Sequence, residues 1–371
     1  MAYIYLTLML AFTLANTCAL LFFFRKQKNS YMFVVFVAII VSCFGHWLLG
    51  FSTTVEEANI ANKVNYVGAV FFPMLMFFVM AQVSKVRIPH LVRIAMVLLC
   101  CTILGLAMTV GYSPVYYKTF EYVVQSGVGN YVATYGWGHD IFNFAVVLFG
   151  ALDIVVVAYA LFLRKIVSLK NIAAMFLTEM VTFSSFIVSR FFENDMLVMP
   201  LVYVLNQVIL LFICSSVKWY DIAACMQEFT EEDSILAFVS FARDGRFLSA
   251  NNNGEKFFPE LKSCRVDRKI ADSNEMGALF NPLIEKLENG ASGESFDFWH
   301  KEKHFKVSVK LVKVWGVSEI YLFKIEDDTD VQLYVESLDK DQSELKGLVE
   351  KNAHVVKTIQ EQMIIGMANM V

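Results

Sequence analysis

Seven apolar runs, near residues 3–24, 31–51, 64–83, 91–111, 140–163, 171–190 and 197–217, constrain this chain more than any other feature. Each is long enough to cross a hydrocarbon core of ~30 Å, and no soluble core could bury all seven together. The 57% hydrophobic content and 34 Phe among 371 residues are the same fact seen in composition. The first run has neither a basic segment ahead of it nor a small-residue cleavage site, so it is expected to be retained as a helix.

Charge divides the chain at Tyr220. Residues 1–220 hold 13 Lys and Arg against 8 Asp and Glu, a net +5; the rest holds 18 against 27, a net −9. The acidic half lacks the clustered Lys and Arg that nucleic acid demands, which excludes that partner class. Short loops rich in Lys and Arg stay cytoplasmic. The turns with Arg25, Lys26 and Lys28, with Lys85, Arg87 and Arg93, and with Arg164, Lys165 and Lys170, together with Lys218, contribute ten basic residues; the alternate connections hold only Lys63, Lys118 and Arg190. The expected orientation is therefore amino terminus outside and carboxyl terminus cytoplasmic, in a multi-pass protein of the cell membrane.

The connections expected outside are a Ser52–Asn62 loop, a short Phe191–Met196 loop with Glu193 and Asp195, and the long Ser113–His139 segment. Tyr112, Tyr116, Tyr117, Tyr122, Tyr131, Tyr135 and Trp137 crowd around the last of these. They would form either an aromatic lid over an extracellular ligand or an interfacial belt that anchors helices. Within the apolar runs, Asp153, Glu179, His46 and the Asn206-Gln207 pair are costly in lipid, so they should face the bundle interior or a hydrated cavity. They are candidate sensing residues for an unidentified small-molecule or membrane ligand, with interhelical hydrogen bonding as the competing use.

The seven cysteines, Cys18, Cys43, Cys100, Cys101, Cys214, Cys225 and Cys264, fit neither a disulfide framework nor a zinc pattern and read as small buried hydrophobes.

The segment VEEANIANKVNYVGAVFFP, Val55 to Pro73, has a paired acid, a lysine, a Tyr-x-Gly step and a proline in the third span. With the order of spans and the exit through Trp219-Tyr220-Asp221-Ile222, it resembles the amino-terminal seven-helix sensor region of bacterial histidine kinases and related receptors, over residues 1–220. The resemblance implies a receptor whose output varies within the family.

From Ser234 the apolar runs shorten to strand length. Ile235–Phe241, the Asp244-Gly245 turn and Arg246–Ala250 make a hairpin; helices come next, then alternating runs at 295–299, 304–314 and 318–325. With Asn251-Asn252-Asn253 before a helix and the closing Glu326-Asp327-Asp328-Thr329, residues 221–330 resemble a PAS domain. His300 and His304 are weak haem candidates, His304 lying in a polar run that reads as a solvated hairpin tip. Ser263-Cys264-Arg265 departs from a flavin motif, and no cofactor or metal is expected.

Beyond Asp330, positions 331, 335, 338, 342, 345, 349, 352, 356, 359, 363, 366 and 370 alternate spacings of four and three, and nine of the twelve are apolar. This is a heptad stripe over 331–371, predicting a homodimeric coiled coil with Asn352 fixing register, or a helix folded back on its own domain. His354 lacks the flanking residues of a phosphoacceptor, and no phosphate cradle or ATP lid is present. Catalytic residues are not expected. Residues 360–371 are similar to the lead-in helix of HD-type phosphohydrolases, including HD-GYP cyclic-di-GMP phosphodiesterases. The sequence stops in mid-helix, which reads as a shortened frame or a fragment whose output lies elsewhere. The fold class expected is a seven-helix transmembrane bundle, a cytoplasmic α+β domain and a carboxyl-terminal coiled-coil helix. The alternatives are a histidine kinase sensor fragment and a transporter with a regulatory domain.

Overall fold

The structure, a computed structural model, describes residues 2–24, 30–84, 86–125, 127–162, 167–191, 195–220, 236–288, 295–314 and 318–368. Arg25, Lys26, Lys28, Lys85, Arg164, Lys165, Glu193, Asp221, Ile222, Cys225, Ile235 and Met370 lie outside them.

The first part is helical: α1 (Ala2–Phe24), α2 (Ser30–Phe51), α3 (Val55–Ala69), α4 (Phe72–Val83), α5 (His90–Met108), α6 (Trp137–Phe162), α7 (Leu169–Phe191) and α8 (Asp195–Tyr220). Among the described residues, six stretches, 2–22, 31–51, 55–83, 90–108, 137–162 and 198–216, are long and apolar enough to cross a membrane. α7 is a helix of 23 residues whose apolar run is interrupted by Lys170, Glu179 and Arg190. The chain is a multi-pass membrane protein.

The third span differs from the expected 64–83. Thr54 Oγ1 accepts from the Glu57 amide at 3.2 Å, and Glu57 Oε2 accepts from the Thr53 amide at 2.7 Å. This reciprocal capping satisfies exposed amides and starts the helix at Val55, so most of the expected Ser52–Asn62 loop is the first turns of α3. The span then breaks: α3 ends at Ala69 and α4 begins at Phe72 with Pro73 in its first turn, where a missing amide hydrogen costs little. α2 and α3 lie against each other without side chains between them at two points. A Cβ on Gly68 would sit 2.2 Å from the Ala38 carbonyl oxygen, and one on Gly45 would sit 2.4 Å from the Asn65 amide nitrogen. The contact is fastened by Ser42 Oγ hydrogen-bonding to Asn65 Oδ1.

The connection between α5 and α6 is an antiparallel hairpin, β1 (Tyr117–Gln125) and β2 (Val128–Tyr135), turning at Gly127, whose φ is +82°. The interior of the helical part is continuous from Met32, Phe36 and Ile39 through Met74–Met80 to Phe149, Met175 and Leu210.

The second part is sheet-rich. Its elements are β3 (Ala237–Ala242), β4 (Arg246–Ala250), α9 (Asn252–Phe257), a 3-10 turn at Pro259–Ser263, β5 (Arg268–Lys269), α10 (Glu275–Glu288), β6 (Ser295–His300), β7 (Lys303–Val314) and β8 (Ser318–Asp327). Strand pair, helices and three strands succeed one another as the sequence predicts. All neighbours are antiparallel, in the order β5-β4-β3-β8-β7-β6. Gly245, at φ +80°, makes the β3–β4 turn. The Asn251 carboxamide caps α9 by accepting from the Gly254 amide at 2.7 Å. Buried Phe241, Phe258, Phe280, Phe305 and Phe323 form the core. In β7, Phe305, Val307 and Val309 are buried while Lys306, Ser308 and Lys310 are exposed, the period-two pattern of a strand with one face in the core.

A single helix, α11 (Thr329–Ala368), closes the described chain; its 40 residues extend roughly 60 Å. Its apolar stripe is uncovered: Val335, Leu338, Leu345, Val349, Val356, Ile359 and Met363 are all exposed.

Candidate functional site

The candidate residues of the helical part fall into two groups, one at the hairpin and one inside the bundle.

At the hairpin, β1 and β2 lie over the ends of α2 and α3. Tyr66 and Tyr117 bring their hydroxyls to 2.7 Å, Tyr117 and Tyr131 to 3.1 Å, and Tyr131 Oη donates to Asn62 Oδ1 at 2.7 Å. A phenol has one hydrogen to give. Since Tyr131 gives its own to Asn62, it accepts from Tyr117, which accepts from Tyr66, and the chain runs in one direction from the bundle outward. Tyr122 Oη donates separately to the Ser52 carbonyl at 2.8 Å. His139, near the start of α6, stacks on Tyr135 with ring centres 3.9 Å apart and lies edge-on to Tyr116 at 5.4 Å. Burial pushes the Tyr117 phenol well above its ordinary range, and the neighbouring Tyr66 adds to the effect.

The aromatic residues of the 113–139 segment are therefore part of the folded core and not a free surface loop. Trp137, at 59% exposed, and Tyr135, at 42%, are the exceptions, and Tyr112 just ahead of the segment is exposed as well. Sequence reasoning misses His139, because nothing distinguishes it from a loop histidine until the hairpin closes beside it. It misses Asn62 as well, which falls inside the expected loop.

Inside the bundle, Asp153 of α6 and Glu179 of α7 are both buried. They line one cavity with Thr182, and Asn206 of α8 joins from behind, donating from Nδ2 to Thr182 Oγ1 at 3.0 Å. Gln207 goes elsewhere: its Oε1 accepts from Asn16 Nδ2 of α1 at 3.3 Å. His46 is buried on α2 and does not line the cavity; its Nδ1 has no hydrogen-bond partner among the described residues. The structure thus brings together Asp153, Glu179 and Asn206, and leaves His46, Gln207 and Trp137 apart.

In the sheet domain, His304 corrects the expected solvated tip. The turn is made by Lys301 and Glu302, both at positive φ, whereas His304 is 7% exposed and its Nδ1 lies 2.6 Å from Asp328 Oδ1. Its amide donates to Thr329 Oγ1 at 3.0 Å, and Thr329 also hydrogen-bonds to the Asp327 carboxylate. These contacts fasten β7 to the first residue of α11. His300 sits with its ring centre 5.4 Å from that of Phe258. Asn352 stands exposed on α11 within the apolar stripe. Among the described residues there is no group of three or more His, Cys, Asp or Glu able to hold a metal ion.

Residues 7–223 match the family model described as the N-terminal 7TM region of histidine kinase. Among curated proteins no match is found.

Proposed function

The chain belongs to the family of the N-terminal 7TM region of histidine kinase, and on that footing we propose that it is a membrane receptor that senses an external or membrane-borne cue and relays it along α11. The family assigns a membrane sensor related to histidine kinases; the relay is our reading of the sheet domain and the long helix beyond the bundle. The sheet domain is taken as PAS-like, supported by its strand pair, helices and three strands and by the Asp327–Thr329 closure onto α11. The orientation proposed, with the hairpin outside and the sheet domain in the cytoplasm, is supported by the ten-to-three distribution of basic residues.

The observation that carries the reading is the uncovered stripe on α11. Burying a side chain such as Leu345 or Ile359 is worth ~1.5–3 kcal/mol, which a lone helix in water forgoes. A second copy of the chain offers the same stripe in register, with Asn352 as the polar position that fixes alignment. In a paired helix a small rotation or slide changes what the next segment meets. The described residues are proposed to relay and not to catalyse. The output is proposed to be an HD-type phosphohydrolase of the cyclic-di-GMP phosphodiesterase kind, on the resemblance of residues 360–371; a kinase output is the alternative.

The test is oxidative crosslinking of the full chain in membranes. Leu345→Cys lies on the seam, and Lys346→Cys, one position round the helix, lies off it. Efficient dimer formation with the first and little above the unsubstituted chain with the second is expected. Equal crosslinking at both positions, or none at either, would remove the paired-helix relay.

A further inference from the structure

The cavity between α4, α6 and α7 contains an unbalanced set of polar groups. Asp153 is 2% exposed and Glu179 6%, and both carboxyls line the same small space, where two negative charges would repel each other. Among the described residues, Asp153 Oδ1 has no hydrogen-bond partner. Among the described residues that line the space there is no Lys, Arg or His. Counting from the nearer helix ends, Phe162 and Leu169, both carboxyls lie roughly 14 Å inside. An uncompensated carboxylate there costs several kcal/mol, so the charge of the pair is balanced either by protons or by a bound cation.

The walls choose among cations. Oxygen atoms come from Asp153, Glu179 and Thr182; much of the remaining wall is apolar, with the rings of Phe72 and Phe183 and the side chain of Met76. Hard inorganic cations such as Ca2+ and Mg2+ take six or more oxygens; three side chains fall short, and the space leaves little room for the waters that would complete the shell. An ammonium group needs only three acceptors, tolerates carbon on its remaining side, and is attracted by aromatic faces. The free space, about 30 Å3, holds about two water-sized groups, which fits a nitrogen and its first carbon. Gly150 shapes the space: a Cβ there would fall 2.4 Å from the Phe183 ring, so the missing side chain is what lets that ring close against α6.

We propose that Asp153, Glu179 and Thr182 bind the ammonium head of an organic amine inside the membrane bundle, with Phe72 and Phe183 as its aromatic walls. This rests on the receptor reading for its consequence, since it names the class of cue, but not for the binding itself. Occupancy would tie α6 to α7 and to the α3–α4 break, the elements that meet at this point.

The experiment is thermal unfolding of the full chain in lipid nanodiscs with methylammonium chloride as the probe, against sodium chloride at equal concentration. A ligand that binds only the folded state raises Tm saturably. The expected result is a saturable rise across the millimolar range with methylammonium alone, and an apparent affinity at least tenfold weaker in Asp153→Asn and in Glu179→Gln. Equal responses to the two salts, or no response to either, overturns the proposal whether or not the variants fold. An unchanged dose dependence in a folded variant also overturns it, in favour of a carboxyl pair kept neutral by protons. The crosslinking at Leu345 is unaffected by any of these outcomes, so the amine site and the receptor reading fail separately.

Discussion

The Tyr131 hydroxyl donates to Asn62 Oδ1 at 2.7 Å, joining β2 to α3 across 69 positions of sequence. Asn62 is 2% exposed, so its carboxamide oxygen has little access to water if that donor is lost. Tyr131→Phe keeps the ring and removes only the hydroxyl. The expected cost is ~1–3 kcal/mol, the penalty of a buried acceptor left unpaired, read as a lowered Tm in nanodiscs. An unchanged Tm would show that water replaces the bond.

The same cluster sets a limit in alkali. Burial holds the phenols of Tyr116 and Tyr117 above the ordinary value of 10.0, so the folded protein keeps their protons longer than the unfolded chain does. Their contribution to stability is whole below pH 10 and declines as pH rises beyond it toward the folded values. Ultraviolet titration should show Tyr116 and Tyr117 ionising only as the fold is lost. Full ionisation of every tyrosine near pH 10 in the folded protein would contradict the packing.

Asp328→Ala removes the partner of the buried His304 ring, which lies 2.6 Å away, at the point where β7 meets α11. Loss of ~1 kcal/mol locally should raise amide exchange severalfold in residues 329–334 and leave the far half of α11 unchanged. Uniform acceleration along the whole helix would place the anchor elsewhere.

Gly68→Val should prevent the close approach of α2 and α3. Its first added carbon would meet the Ala38 carbonyl oxygen at 2.2 Å, and neither backbone can yield without separating the helices. A large loss of folded yield is expected, measured by monodispersity after extraction from membranes.

Much of the helical part is legible in the sequence because apolar runs announce spans, and the cost of polar residues within them points to the interior: Asp153 and Glu179 do meet. The early start of α3 is legible too, in Thr54 followed three positions later by Glu57, but an apolar window sees only hydropathy and passes over a polar first turn. The hairpin is obscured for the opposite reason. Its tyrosines suit a membrane boundary as well as a strand, so composition alone does not announce the pairing across Gly127. His304 shows the same limit, since a polar run in sequence says nothing of which member turns inward.

β2 runs through Gly136 straight into α6, while Tyr122 and Tyr131 clasp the Ser52 carbonyl and Asn62 at the neighbouring ends of α2 and α3. The hairpin is thus a tie-rod between early and late helices of the bundle, and a force applied at its tip is shared by both. A molecule gripping residues near Gly127 would have leverage on α6, and through it on the carboxyl pair, without ever entering the bilayer.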